Sequence, residues 1–314
     1  MAAGTRTKSI SAGNSRERHT PIADTSSSRM SAGIWLALIT VYIIWGSTYL
    51  AIRIGLEGFP PFLMAGIRFV LAGGLMFAFL RLRGEPNPTR KQWGAGALVG
   101  ILLLVGGNGM VTFAEQWVAS GLAALAIATV PIFAALFAGL WGKWPSGREW
   151  IGLGIGFVGV VLLNFEGDMR ANPLAALALL FATASWALGS VWSRYLPMPK
   201  GMMGSATEML AAGAALLVLG FSTGEQITAV PGPRPLFALI YLVIFGSIIA
   251  FTAYTYLLQK VRPSIATSYA YVNPVVAVGL GVGLANEHVG WIGLIAMPVI
   301  LIGVAIVVLS RSKA

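Results

Sequence analysis

The sequence predicts an all-α integral membrane protein, with ten transmembrane helices forming two inverted five-helix repeats. Three observations carry that prediction. First, 57% of the 314 residues are hydrophobic and 10% are charged, with a mean hydropathy of +0.79, whereas a soluble domain holds about 25% charged residues. Second, the chain divides into ten apolar runs, each close to the ~20 residues that a helix needs to cross a ~30 Å hydrocarbon core. Third, one frame occurs twice: Gly121-Leu-Ala-Ala-Leu-Ala-Ile-Ala-Thr-Val-Pro131 and Ser264-Ile-Ala-Thr-Ser-Tyr-Ala-Tyr-Val-Asn-Pro274 both place a proline at the end of a small, alanine-bearing stretch.

Taken in order, residues 1–32 are polar and rich in Ser and Thr, with Arg6, Lys8, Arg16, Arg18 and Arg29. They have no apolar core, so they read as a disordered cytoplasmic tail and not as a cleavable signal peptide. The first repeat, 33–166, contains the runs Gly33–Ile52, Pro61–Leu80, Trp93–Ala114, Ala119–Trp141 and Glu149–Phe165. The second, 173–310, contains Pro173–Tyr195, Gly201–Phe221, Leu236–Leu257, Ser264–Ala285 and Val289–Leu309. Seventeen of the 21 Lys and Arg fall in the tail and in alternate loops, three (Arg53, Arg170, Arg234) fall in the opposite loops, and Arg68 lies within a span. The positive-inside rule then puts both termini in the cytoplasm, which an even number of spans also requires. A net charge of +10 dispersed in short loops argues against a nucleic-acid partner.

The halves align in order. Trp45-Gly46-Ser47 meets Leu188-Gly189-Ser190, Ala72-Gly73 meets Ala212-Gly213, Pro131 meets Pro274, and Trp150-Ile151-Gly152 meets Trp291-Ile292-Gly293. Because five is odd, the second half enters the membrane inverted. Inverted repeats are common in secondary transporters, whose substrate sites lie near the midplane between the repeats.

Several stretches together resemble the drug/metabolite transporter superfamily, and specifically its EamA-type ten-helix bacterial exporters. They are Ile44-Trp45-Gly46-Ser47-Thr48-Tyr49, Arg68-Phe69, Gly107-Asn108-Gly109-Met110, Ala128-Thr129-Val130-Pro131 and Ala266-Thr267-Ser268-Tyr269-Ala270-Tyr271-Val272-Asn273-Pro274. The resemblance spans about residues 33 to 310. It implies a basket of helices around a cavity, exporting amino acids or similar metabolites. The chain departs from the family at Glu208, where these exporters often carry an uncharged polar residue such as Gln.

The chemistry of an enzyme is nearly absent. There is no cysteine, and the only histidines are His19 in the tail and His288 in a loop, so neither a metal nor a cofactor is expected. Gly154-Ile-Gly-Phe-Val-Gly159 matches a dinucleotide fingerprint but lies inside a span, where small residues serve close helix packing. An integral-membrane enzyme or a channel is therefore disfavoured.

Candidate site residues cluster elsewhere. Arg68 and Glu208 occupy equivalent repeat positions, each about 10 Å from its own membrane face at 1.5 Å per residue. A buried charge there costs at least ~2.5 kcal/mol, so it faces a cavity or a partner. Arg68 reads as a binder of a substrate carboxylate and Glu208 as a carrier of a coupling proton; a structural ion pair is the alternative. Pro131 and Pro274 would each free a backbone carbonyl. Tyr269 and Asn273, four apart on one helix face, crowd the second proline with Tyr271. Trp45, Ser47, Tyr49, Trp186 and Ser190 form a related set on the first and sixth spans. Asn108, Thr112 and Glu115 step toward the outer end of the third span, where a solvated carboxylate at Glu115 costs little, and Tyr254 and Tyr256 lie toward the inner end of the eighth. Trp93, Trp141, Trp144, Trp150 and Trp291 read as interfacial anchors.

The reading is an inner-membrane secondary transporter, a monomer, exporting amino acids, aromatic or otherwise hydrophobic, by alternating access. A broad-specificity drug or metabolite exporter, or an importer, is the alternative. Reporter fusions at Gly84, Gly147 and the C-terminus are expected in the cytoplasm, and fusions at Gly167 and Gly224 outside. A cytoplasmic signal at Gly224 would contradict the inverted repeat.

Overall fold

Where the chain must cross hydrocarbon, every backbone N–H and C=O has to be satisfied internally, and helices do this within one segment. The structure, a computed structural model, describes residue 1 and residues 30–117, 123, 126–163, 173–285 and 290–310. The tail, Gly167, Arg170, His288 and the C-terminal residues from 311 on lie outside that set. Among the described residues there is no strand, and the chain reads α1 (Ala32–Gly55), α2 (Pro61–Leu82), α3 (Arg90–Ala114), α4 (Val130–Leu140), α5 (Gly147–Leu163), α6 (Pro173–Trp192), α7 (Met202–Ser222), α8 (Pro233–Lys260), α9 (Tyr269–Ala285) and α10 (Trp291–Leu309). Six of them, α1, α2, α3, α6, α7 and α8, are long and apolar enough to cross a membrane; the others are shorter. Leu36, Ile39 and Ile43 on α1, and Leu71, Leu75 and Phe79 on α2, form exposed apolar stripes at helical spacing, as lipid-facing surfaces do.

Helix ends follow local chemistry. Pro61 and Pro233 stand in the first turns of α2 and α8, where the missing N–H costs nothing and the fixed φ helps. Thr89 and Gln92 form a capping box at α3. Ser146 and Glu149 do the same at α5, with Glu149 N donating to Ser146 Oγ at 3.3 Å and Ser146 N to Glu149 Oε2 at 2.9 Å. The α2 N-terminus is capped from a distance, since Phe62 N and Leu63 N donate to the Glu225 carboxylate at 3.1 and 2.8 Å, an anion on a helix N-terminus. α2 and α7 stop the same way: Gly84 and Gly224 take φ of +84° and +81°, and Glu85 N and Glu225 N reach back to Leu80 O and Gly220 O. That is the left-handed termination that glycine permits.

Four helices depart from regular α geometry. α3 widens to a π-helix over Ile101–Gly109 and α8 over Leu242–Ile249. Such stretches recur at functional sites. The fourth and ninth spans are interrupted by turns, at Ala128-Thr129 and at Thr267-Ser268. These turns correct the expectation about the prolines. Pro131 is at the start of α4 and does not bend it, because a residue with no N–H fits the first turn. Pro274 lies inside α9, and the break is at Thr267-Ser268, between the short helical turn Pro263–Ala266 and Tyr269.

Small residues set the closest helix crossings. A Cβ on Gly73 would come 2.8 Å from Leu210 N, and one on Gly213 would come 2.7 Å from Val70 N. Adding 140 to 70 and 73 gives 210 and 213, so the two contacts are each other's counterpart. Gly66 meets Leu217 and Gly220 meets Leu63, so numbering falls on α7 as it rises on α2 and the pair is antiparallel. α5 and α10 pack as closely, with Gly152 against Gly303 O and Gly159 against Ile300 N. Gly156 instead accepts the Tyr271 ring, which gives the glycine-rich run a packing role. Gly73→Ala is expected to destabilise the protein by about 1–3 kcal/mol through overpacking against backbone. Gly74→Ala, whose nearest neighbour lies 4.0 Å away, should be neutral or stabilising by up to ~1 kcal/mol. Thermal unfolding in detergent measures both.

Candidate functional site

The side chains converge on a cavity between α1, α2, α3, α6, α8 and α9. It climbs α1 from Trp45 through Thr48 and Tyr49 to Ile52, faces Arg68 and Phe69 on α2, and takes Gly107 and Asn108 from the π-stretch of α3. Gly246 from the π-stretch of α8, with Tyr269 and Asn273 of α9, completes the polar part of the wall. The cavity volume is about 60 Å³.

Arg68 dominates its electrostatics. The residue is 3% exposed. Its Nε donates to Ser247 Oγ at 2.7 Å, an Nη reaches Asn108 Oδ1 at 3.5 Å, and the guanidinium carbon lies 4.8 Å from the centre of the Phe69 ring. No carboxylate pairs with it among the described residues. Five N–H donors thus meet one short bond and one long one. The absence of a side chain at Gly246 gives the guanidinium its space, since a Cβ there would be 2.9 Å from the Arg68 Nη2. Across the same cavity Asn273, 2% exposed, keeps Oδ1 buried without a hydrogen-bond partner. One cavity therefore offers a cationic fork and an unsatisfied carbonyl acceptor.

One end of the cavity is closed by aromatic rings. Trp45 lies 5.4 Å from Trp186, 5.0 Å from Tyr254 and 4.6 Å from Tyr269, and Tyr254 lies 5.5 Å from both Trp186 and Tyr269. Edge-to-face and tilted contacts at these spacings add to the burial energy. Polar tips fix the ring orientations. Trp45 Nε1 donates to Gly246 O at 3.0 Å, Trp186 Nε1 donates to Tyr254 OH at 3.0 Å, and Tyr254 OH donates at 2.6 Å to Ser190 Oγ, whose own proton goes to Trp186 O.

Of the residues the sequence singled out, Trp45, Arg68, Asn108, Trp186, Tyr269 and Asn273 line this cavity. Ser190 stands behind it, holding Tyr254. Ser47 faces Tyr241 OH on α8 at 2.6 Å, and Thr112 turns back to Asn108 O at 2.9 Å. Tyr271 points to α5, donating to Leu153 O at 3.1 Å. Pro131 and Pro274 shape α4 and α9 without reaching the lining. Glu115, just past α3, is half-buried, with Oε1 buried and without a partner. Arg68 and Glu208 do not meet; Glu208 borders a separate small pocket with Ser205 and Thr255. Gly246, Ser247 and Tyr254 were not among the candidates. Their signal was present only as a glycine and a serine in an otherwise apolar run, and as a tyrosine read as lying near one end of its helix. A second group outside the candidates joins the first turn of α5 to the short turn Pro263–Ala266 and to the residue after α10: Arg262 and Ser264 reach Glu149 at 2.5 and 2.7 Å, and Arg262 also bonds Ser310 O.

Comparisons with known proteins show the family. The model of the EamA-like transporter family matches the chain twice, over residues 31–165 and 173–309. An inner membrane transporter of Escherichia coli K12 named YedA, its function uncharacterized, is 49% identical over 276 residues, covering 88% of this chain and 90% of that one. The Bacillus subtilis transporter YdfC is 28% identical over 74% of this chain and 77% of its own, and an Arabidopsis thaliana WAT1-related chloroplastic protein is 25% identical over 87% of this chain and 69% of its own. A solved crystal structure superposes with a TM-score of 0.72 at 23% identity, covering 87% of this chain and 95% of that one, which shows a shared fold. A twofold match over nearly the whole helical region makes this chain a member of the EamA-like transporter family, within the drug/metabolite transporter superfamily.

Proposed function

We propose that the protein is an inner-membrane carrier that exports amino acids with hydrophobic side chains by alternating access between two inverted five-helix repeats. The observation that carries the substrate class is the buried guanidinium of Arg68, with no carboxylate partner among the described residues, facing the cavity that also holds the unsatisfied Asn273 Oδ1. A zwitterion satisfies both: its carboxylate accepts from Arg68 in a forked, charge-assisted pair, and its ammonium donates to Asn273. The rings of Trp45, Trp186 and Tyr269 receive an apolar side chain. The reciprocal contacts of α2 with α7 and the matched π-stretches of α3 and α8 support the inverted arrangement. The relative of known location supports the inner membrane.

With both termini in the cytoplasm, the aromatic cluster forms the cytoplasmic floor and the cavity occupies the outer half. Export then requires the cluster to part and the outer wall to close, with the π-stretches supplying the give.

Counterflow of labelled amino acids in proteoliposomes tests this reading, because a carrier exchanges solute between its faces and a channel does not. Arg68→Lys is expected to lose the forked contact and weaken substrate by about 1.5–3 kcal/mol, roughly tenfold to a hundredfold in affinity. Unchanged exchange would remove Arg68 from the site. The two tyrosines separate by role. Tyr269→Ala is expected to depress transport in a protein that still purifies folded, whereas Tyr271→Phe should cost about 1 kcal/mol of stability and leave transport near wild type.

A further inference from the structure

Glu208 sits outside the amino-acid cavity and takes no part in the binding described above. It is 3% exposed, and its Oε2 is buried without a hydrogen-bond partner. The pocket it borders is lined by Ser193 at the end of α6, Pro199, Gly201 and Gly204 around the α6–α7 connection, Ser205 on α7, and Thr255 and Gln259 on α8. Water centres can occupy about 20 Å³ of it, room for one or two waters. The site is built for close approach. Gly100 of α3 lies against the Glu208 backbone, where a Cβ would come 2.9 Å from its Cα. The Ser205 and Thr255 hydroxyls are hydrogen-bonded at 2.6 Å, which holds the α7 and α8 walls together.

We propose that Glu208 is a proton-binding site of the transport cycle, filled and emptied through this pocket from the end of α7 that follows the α6–α7 connection. This rests on the carrier reading above and adds its driving ion. The step is a plain transfer: the carboxylate takes a proton from hydronium in the pocket, leaving water, and later returns it to water. The pocket is too small for an organic solute, and no His, Lys, Arg or second carboxylate lines it. The groups that face Glu208 are few. α3 presents two glycines, Gly96 and Gly100, to the Glu208 backbone. α8 presents Thr255 and, within electrostatic reach, the Tyr254 hydroxyl. Arg194, Lys200 and Lys260 adjoin lining residues in sequence and are exposed at the rim; Arg194 is held there by donating to Val261 O at 2.8 Å.

A link to the cavity runs along α8. Thr255 borders the proton pocket, and its neighbour Tyr254 anchors the aromatic floor through Trp186 and Ser190. Charging or neutralising Glu208 therefore acts on the helix that positions the floor.

The test uses the full-length protein in proteoliposomes, with an amino acid that shows counterflow, at equal concentration on both sides. An imposed pH gradient is expected to drive net accumulation by wild type. Glu208→Gln is expected to abolish that drive and keep counterflow. A sodium gradient at constant pH is the second arm and should drive nothing. Wild type indifferent to pH, a Gln variant that still responds, accumulation driven by sodium alone, or loss of counterflow in a folded Gln variant would each overturn the proposal. Absence of counterflow in wild type would instead overturn the carrier reading. Infrared pH-difference spectra add an observation independent of transport: wild type should show the C=O stretch of a protonated carboxyl that Glu208→Gln lacks, and identical spectra would overturn the assignment.

Discussion

The structure turns on a guanidinium that is buried in the protein and has no counter-ion among the described residues. Arg68 is buried, bonded to one serine at short range, and surrounded by rings and glycines. Removing a charge from water is costly, and the cost is recovered only by a well-placed opposite charge or by access to water. Much of the neighbouring architecture serves that residue. The π-stretch of α8 brings Ser247 to its Nε and leaves Gly246 bare beside its Nη2. The π-stretch of α3 presents Asn108. The aromatic floor bounds the cavity in which a ligand's carboxylate would find it.

The same economy explains the irregular backbone. Non-helical or widened backbone at membrane depth is tolerated where it lines a cavity or is held by protein groups. Trp45 Nε1 holds Gly246 O within one widened stretch, and Ser185 Oγ holds Leu102 O within the other at 2.7 Å. α1 thus grips the π-stretch of α8 as α6 grips that of α3. The break at Thr267-Ser268 is held by Tyr42, whose hydroxyl meets Ser268 Oγ at 2.6 Å. These are bonds between elements, so a rearrangement that opens the floor must exchange them together.

Much of this was legible in the sequence. Apolar runs near the length of a span gave the helices. The order of the short matches suggested two halves, and the family model matches the chain twice, over 31–165 and 173–309. Arg68, Tyr269 and Asn273 stood out because a charge, a tyrosine and an amide are expensive where they lie. What sequence could not resolve was direction. Tyr269 and Tyr271 are two residues apart and face opposite partners, which follows from helix rotation once Thr267-Ser268 breaks the segment. Pro131 has the same neighbours as a kink-forming proline, yet the turn before it makes it a helix start. Gly246 carries no chemical signal at all; its part is to leave room.

The most direct measurement is ligand-induced thermal stabilisation of the purified protein by matched sets of compounds: hydrophobic amino acids, their methyl esters and their decarboxylated amines. If Arg68 holds the carboxylate, an amino acid should raise the unfolding temperature of wild type while its ester and its amine do not, and the difference should vanish in Arg68→Lys. Equal stabilisation by an amino acid and its methyl ester would contradict the account.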